Sequence, residues 1–83
     1  MRETASPLLD LRHCATGVKG TITEVLPAPG LGAPLRRMAE LGLRRGASIV
    51  VGQNTPGGGR VIGVDGTRLA LDPDLLRLLR VRP

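Results

Sequence analysis

The residues best suited to chemistry in this chain are His13 and Cys14, its single histidine and single cysteine. Both side chains can bind a transition metal, and a thiol beside an imidazole can act as a nucleophile with its base. Adjacent residues of an extended segment point to opposite faces, however, and no further histidine or cysteine completes a metal site. Nothing in the sequence resembles an oxyanion hole. We therefore predict no catalytic residues, no metal site and no cofactor.

Two other patterns have structural explanations. Asp72 and Asp74 flank Pro73, which is typical of a helix N-terminus with Asp72 as the capping residue. The glycine-rich run at 56–60 ends in arginine, but it lacks the lysine and hydroxyl residue of a phosphate-binding loop and precedes a predicted strand. We interpret it as a mobile hairpin connection. The sequence thus favours a binding module over an enzyme and indicates no small-molecule substrate.

The basic charge is concentrated in one part of the chain. The 83 residues carry a formal net charge of +5. Residues 35–60 contain a single acidic residue, Glu40, and five basic ones: Arg36, Arg37, Arg44, Arg45 and Arg60. Such a surplus can face nucleic acid, anionic lipid or an acidic protein. We assign it to the predicted helix and the turn that follows, where it forms either a solvated helix face or a contact surface for an acidic partner.

The absence of aromatic residues narrows these choices. Without aromatic platforms for bases, nucleic-acid binding is limited to weak, salt-sensitive phosphate contacts. The same absence excludes the aromatic-lined groove that binds polyproline segments. An acidic protein surface is therefore the favoured partner, and phosphate-directed nucleic-acid binding is the alternative.

Residues 34–42 have the pattern of one short amphipathic helix. Pro34 suits the first helical position, where its missing N–H costs nothing. Gly42 is placed to end the helix in the left-handed conformation, with Leu43 contacting Met38 as in a Schellman motif. The apolar residues recur at helical spacing: Leu35, Met38, Ala39 and Leu41.

The other elements are predicted to be short strands bounded by glycine and proline, at 21–26, 47–53, 60–64, 67–71 and 80–82. The odd spacing of Ile22 and Val25 suggests a β-bulge. Asp65-Gly66 predicts a type I′ hairpin turn. A short helix is expected over 73–79. The predicted fold is mainly β, a small closed barrel of five strands with one inserted helix.

The chain is short enough to form one small domain. We expect residues 1–6 to be disordered and residues 7–83 to form a single domain. One cysteine indicates a reducing compartment, and no apolar run approaches the about 20 residues of a membrane span. The sequence therefore predicts a soluble, cytoplasmic protein.

Several segments of the sequence together resemble a known protein family. The segment Leu41-Gly42-Leu43 followed by Gly46 is the most specific part of this resemblance. Further parts are residues 7–11 before Gly17, Gly20-Thr21-Ile22, Val64-Asp65-Gly66, Leu69-Ala70-Leu71 and Val81. These residues resemble FeoA proteins, small cytoplasmic accessory proteins of ferrous iron transport.

The resemblance implies an SH3-like barrel with a helix after the first strand. It also implies a partner, the membrane iron transporter FeoB, which carries a cytoplasmic GTP-binding domain. The protein would then be associated with the membrane only through this partner. Its role would be that of a regulator or adaptor. A similar domain is found at the C-terminus of metal-dependent repressors of the diphtheria-toxin-repressor kind, attached to a helix-turn-helix module. We expect no such module here, which favours a standalone accessory role.

We expect the partner to contact the helix and the turn after it. The candidate residues are Leu35, Arg36, Arg37, Met38, Leu41, Leu43, Arg44 and Arg45. A buried role for most of the apolar members is equally consistent with the pattern, because an amphipathic helix must pack against something. A third hypothesis is a self-assembling module that forms homo-oligomers through its strands or its apolar helix face.

Overall fold

The computed structural model describes residues 8–83, so the predicted disorder of residues 1–6 lies outside the described residues. Five antiparallel strands form one sheet in the order β4-β3-β2-β1-β5, which confirms a mainly β fold. The elements in chain order are β1 (Lys19–Val25), α1 (Gly32–Glu40), β2 (Ser48–Thr55), β3 (Gly59–Val64), β4 (Thr67–Leu71), α2 (Pro73–Leu76) and β5 (Leu79–Arg82).

Two of the strand pairs in the sheet are irregular. The β1–β5 register shifts between Ile22 and Glu24, which confirms the predicted bulge, and the β2–β3 register shifts between Val51 and Asn54. Each bulge bends its strand and increases the local twist. Strands β4 and β5 are the two edges, and within residues 8–83 no ladder joins them. The predicted closure of the barrel by strand pairing is therefore absent within these residues, and the chain passes from β4 to β5 through α2.

The predicted turns and caps are largely in place. Asp65 and Gly66 both have positive φ, at +50° and +75°, as a type I′ turn requires. The Asp72 side chain accepts a hydrogen bond from the Leu75 N–H at 3.0 Å, which confirms the N-cap. Helix α2 ends at Leu76, earlier than the predicted residue 79, because the chain enters β5 at Leu79 and pairs there with β1.

The core is aliphatic and follows the alternation of the strands. Inward positions on β2 and β3 are almost fully buried, and α1 contributes one buried residue. The buried apolar residues are Leu11, Ile22, Met38, Leu43, Ile49, Val51, Ile62, Val64, Leu71, Leu76, Leu79 and Val81. Such a core lacks the large area that aromatic side chains bury, so polar contacts carry more weight in holding the fold together.

One charged side chain lies among these residues. Arg60 is only 2% exposed, on the inner face of β3 with Ile62 and Val64. The charge count of the sequence placed it with the surface arginines, and this placement was wrong. The alternation of side chains along β3 predicts the observed position, because residues 60, 62 and 64 share one face of the strand and the other two are core residues.

The Arg60 guanidinium joins two other segments of the chain, β2 and the residues that precede β1. Its Nε and Nη2 donate to the Gly52 carbonyl at 3.1 and 2.6 Å. Its Nη1 donates to the carbonyls of Cys14 at 2.7 Å and Leu11 at 3.2 Å, while Nη2 also lies 3.4 Å from Thr16 Oγ1. Because no side-chain polar atom buried within residues 8–83 lacks a partner, the cost of burying this cation is offset by backbone carbonyls.

We expect Arg60→Met to lower the free energy of unfolding by about 3 kcal/mol, because buried carbonyls lose their donors. Arg60→Lys keeps the charge without the planar fork, so its stability should lie between that of the parent protein and that of Arg60→Met. Urea denaturation followed by circular dichroism measures both changes. The exposed Arg68→Met is the control and should stay within about 0.5 kcal/mol of the parent protein. A loss for Arg60→Met no larger than that of the control contradicts this account.

Candidate partner-binding surface

Helix α1 lies with one face on the core and the other in solvent. It begins at Gly32, so Pro34 is its third residue and not its first, a position still within the turn that needs no N–H partner. Met38 is buried, and Leu35 is half-buried against the core. Arg36 and Arg37 are exposed on the other face.

The C-terminus of α1 has the predicted Schellman geometry. The Leu43 N–H donates to the Met38 carbonyl at 2.9 Å, and the Gly42 N–H donates to the Ala39 carbonyl at 3.1 Å. Gly42 has a φ of +105°, a value that L side chains rarely adopt. This reversal sends Leu43 into the core at 1% exposure and leaves Leu41 outside at 40%.

Two further arginines follow this reversal. Arg44 and Arg45 are exposed in a turn that is held by the Gly46 N–H, which donates to the Ile22 carbonyl at 2.7 Å. A shallow depression of about 390 Å³ lies beside them, with the Asp65 carboxylate on its wall. The turn thus projects both guanidinium groups into solvent beside the end of α1.

We call the accessible part of this region the arginine surface, and it consists of Leu35, Arg36, Arg37, Leu41, Arg44 and Arg45. The carboxylates that contact a basic side chain within residues 8–83 are Asp10, beside the His13 imidazole, and Asp74, in an ion pair with Arg77, and neither contact includes a member of this surface. With Arg60 buried, the exposed charges of residues 35–60 are four arginines and Glu40, a surplus of three. The surface combines unpaired positive charge with the exposed side chain of Leu41.

The structure therefore divides the eight predicted contact residues into two groups. Met38 and Leu43 are core residues at 4% and 1% exposure, and they cannot touch a partner in this conformation. The stripe pattern alone did not separate them from Leu35 and Leu41, because all four share helical or near-helical spacing. The other six residues remain candidates.

His13 and Cys14 take no part in this surface. His13 Nδ1 lies 2.8 Å from Asp10 Oδ2, with both side chains exposed, and Cys14 is half-buried. This hydrogen bond from His13 lowers the pKa of the Asp10 carboxyl, and the backbone N–H of Arg12 lowers it further. Within residues 8–83, no three histidine, cysteine or acidic residues are grouped to hold a metal ion. The pair instead closes a turn after Asp10, whose carbonyl accepts from the backbone N–H groups of residues 13 and 14.

The helices of the described chain are also short. None of them is long and apolar enough to cross a membrane.

The described residues form a small five-stranded antiparallel sheet with a helix after its first strand, the architecture expected of an SH3-like domain. The family model of the FeoA domain matches residues 9–83. The chain therefore belongs to the FeoA domain family. A search of curated proteins gave no match.

Solved structures agree with this assignment. The chain is similar to a crystal structure of an iron uptake regulatory protein, FeoA, with 28% identity, 92% and 97% of the two chains covered, and a TM-score of 0.73. It is also similar to a zinc complex of FeoA from Stenotrophomonas maltophilia, described as a prokaryotic SH3 domain protein, with 25% identity, 86% of each chain covered and a TM-score of 0.70.

A third likeness concerns the fold alone. A manganese-dependent transcriptional repressor matches with 19% identity and a TM-score of 0.74 over 95% of this chain and 43% of the repressor. The described barrel thus also has the shape of one part of a larger regulator, as the resemblance in the sequence implied.

Gly42 sets the geometry of the arginine surface, and a matched pair of variants tests its role. Gly42→Ala and Gly46→Ala both force a side chain onto a positive φ, at +105° and +89°. Each should lose about 1 kcal/mol of unfolding free energy. At Gly42 the added Cβ would lie 2.8 Å from Asp65 Oδ2, but that oxygen ends an exposed, flexible side chain that can move away, and nothing lies within 4 Å at Gly46. The two losses should therefore be similar. Urea denaturation measures both, and an unchanged stability in either variant would contradict the need for glycine at that positive φ.

Proposed function

We propose that this chain is a cytoplasmic, non-enzymatic accessory protein of ferrous iron uptake that binds the cytoplasmic part of a FeoB-type transporter through the arginine surface. The FeoA domain supports the link to iron uptake, since one relative is described as an iron uptake regulatory protein and another is suggested to be a ferrous iron transport activating factor. The observation that carries the proposal is the group of four exposed arginines without an ion pair around Leu41.

The chemistry of this surface fits an acidic protein partner. Arginine is enriched at protein interfaces because its planar guanidinium pairs with carboxylates. The guanidinium is also weakly hydrated, so removing its water on binding costs less than for lysine. Leu41 supplies an apolar contact that is already 40% exposed, so a partner can cover it without rearranging the core. Rim charges of this kind steer association and make its rate depend on salt.

The same arginines could contact phosphates, which is the nucleic-acid alternative. No aromatic side chain is present to stack on a base, so this mode would show no sequence preference and a steep salt dependence. The exposed leucine has no role in such binding. The transporter proposal accounts for both the charge and Leu41, and we therefore favour it.

Charge reversal tests the proposal. We expect Arg36→Glu/Arg44→Glu to weaken binding to the transporter's purified cytoplasmic GTP-binding domain by at least about tenfold, because two attractive contacts become repulsive. Affinity is measured by biolayer interferometry at several salt concentrations, with nucleotide-free, GDP-bound and GTP-analogue-bound domain.

The matched control is Arg12→Glu/Arg82→Glu, which changes the net charge equally at exposed positions elsewhere. It should keep most of the affinity. Equal losses in both double variants, or no binding of the parent protein to either the domain or the full transporter in detergent, would contradict the proposal. Binding to duplex DNA at low salt in place of the transporter would favour the alternative.

A further inference from the structure

A second surface lies on the outer face of the sheet, away from α1. Three successive strand pairings align four residues across β1, β2, β3 and β4, which we call the outer row: Lys19, Val50, Gly63 and Arg68. Directly opposed residues share one face of a sheet, and the core occupies the other face. Lys19, Val50 and Arg68 are exposed, and Val50 at 42% is one of the most exposed large apolar residues described.

The centre of the outer row is apolar and open. Val50 borders three adjoining shallow depressions of about 330, 390 and 360 Å³. Beside it, Gly63 carries no side chain, and a Cβ added there would meet only Val50 and a neighbouring carbonyl at 3.6 Å or more. The site above Gly63 is therefore free to accept a side chain from outside.

The ends of the outer row are positively charged. Lys19 stands at one end and Arg68 at the other, and neither takes part in an ion pair within residues 8–83. Three strand spacings of about 4.8 Å separate their backbones by about 14 Å. An apolar centre between two cations suits two carboxylates that flank an apolar side chain.

From this charge pattern we propose that the outer row binds an extended acidic segment of a partner protein, with carboxylates at positions i and i+4 and a valine-sized residue at i+2. Residues i, i+2 and i+4 of an extended chain point to the same side. Four steps of about 3.4 Å span about 14 Å, which matches the distance between the backbones of Lys19 and Arg68. The i+2 side chain would then lie above Gly63, against Val50.

Other occupants fit less well. In a second copy of this chain the same row carries two cations, so a contact between copies would oppose like charges. A nucleic-acid backbone offers phosphates but no apolar group for Val50. The outer row shares no residue with the arginine surface, although Ser48 and the Asp65 carboxylate border depressions beside both. Variants of the two surfaces therefore test this inference and the proposed function separately.

A designed peptide tests the inference directly. The probe is a fluorescein-labelled peptide with the sequence Gly-Glu-Thr-Val-Thr-Glu-Gly, measured by fluorescence anisotropy at low salt with up to millimolar protein. We expect saturable binding that weakens at least about tenfold when both glutamates are replaced by glutamine. Equal binding of the two peptides, or no binding, would overturn the proposal.

The decisive variant is Gly63→Val. Valine fills the open position but favours a strand more than glycine does, so we expect affinity to fall about tenfold while the urea midpoint stays unchanged or rises. Ala70→Val adds bulk at an exposed position on β4 outside the row and should leave affinity unchanged. Unchanged affinity in Gly63→Val would overturn the proposal.

Two further measurements distinguish the site from its alternatives. Arg68→Glu should weaken the glutamate peptide about tenfold, whereas Arg36→Glu/Arg44→Glu should not, since the latter changes only the arginine surface. The reverse result would assign peptide binding to the arginine surface and overturn the proposal. Light scattering that shows a dimer dissociated by Gly63→Val would overturn it in favour of a second copy.

Discussion

The hydrogen bonds of the buried Arg60 guanidinium to the carbonyls of Leu11, Cys14 and Gly52 connect parts of the chain that the sheet alone does not join. An isolated buried cation is expensive, and here its cost is offset by carbonyl oxygens of the 11–16 segment and β2. Together with backbone hydrogen bonds from Leu9 to Val81 and from Gly17 to Val51, these contacts hold the segment before β1 against the barrel. The segment covers core residues that an aliphatic protein of this size cannot leave exposed. This dependence makes Arg60 a structural residue despite its basic character.

The end of α1 shows how one backbone conformation creates a functional surface. With Gly42 at positive φ, the chain reverses within a few residues, so that Leu43 enters the core while Leu41 and the neighbouring arginines stay in solvent. If the helix continued through residue 42, Leu43 and the two arginines after it would extend along the helix, and Leu43 would not turn back into the core. The placement of charge beside an exposed leucine therefore follows from the cap and not from the composition of the helix.

Features that depend on a few neighbouring residues were predicted correctly from the sequence, whereas features that depend on the pairing of distant strands were not. The Schellman cap at Gly42, the Asp65-Gly66 turn and the Asp72 cap each depend on a few neighbouring residues, and the structure confirms all three. The start of α1 was missed because Gly32 and Ala33 carry no helix-start signal. The open barrel edge and the position of Arg60 depend on strand pairing across the sheet, although the alternation of β3 already indicates which face residue 60 shares.

The central claim, that the arginine surface meets the transporter, is tested most directly by amide resonances of the labelled protein during titration with the transporter's cytoplasmic domain. The account predicts that perturbed resonances cluster at residues 35–37 and 41–46, while the β4 and β5 edges stay unchanged. Charged contacts of this kind should also fade as salt is added. Perturbations that cluster on another face, or none at saturating domain, would contradict the account.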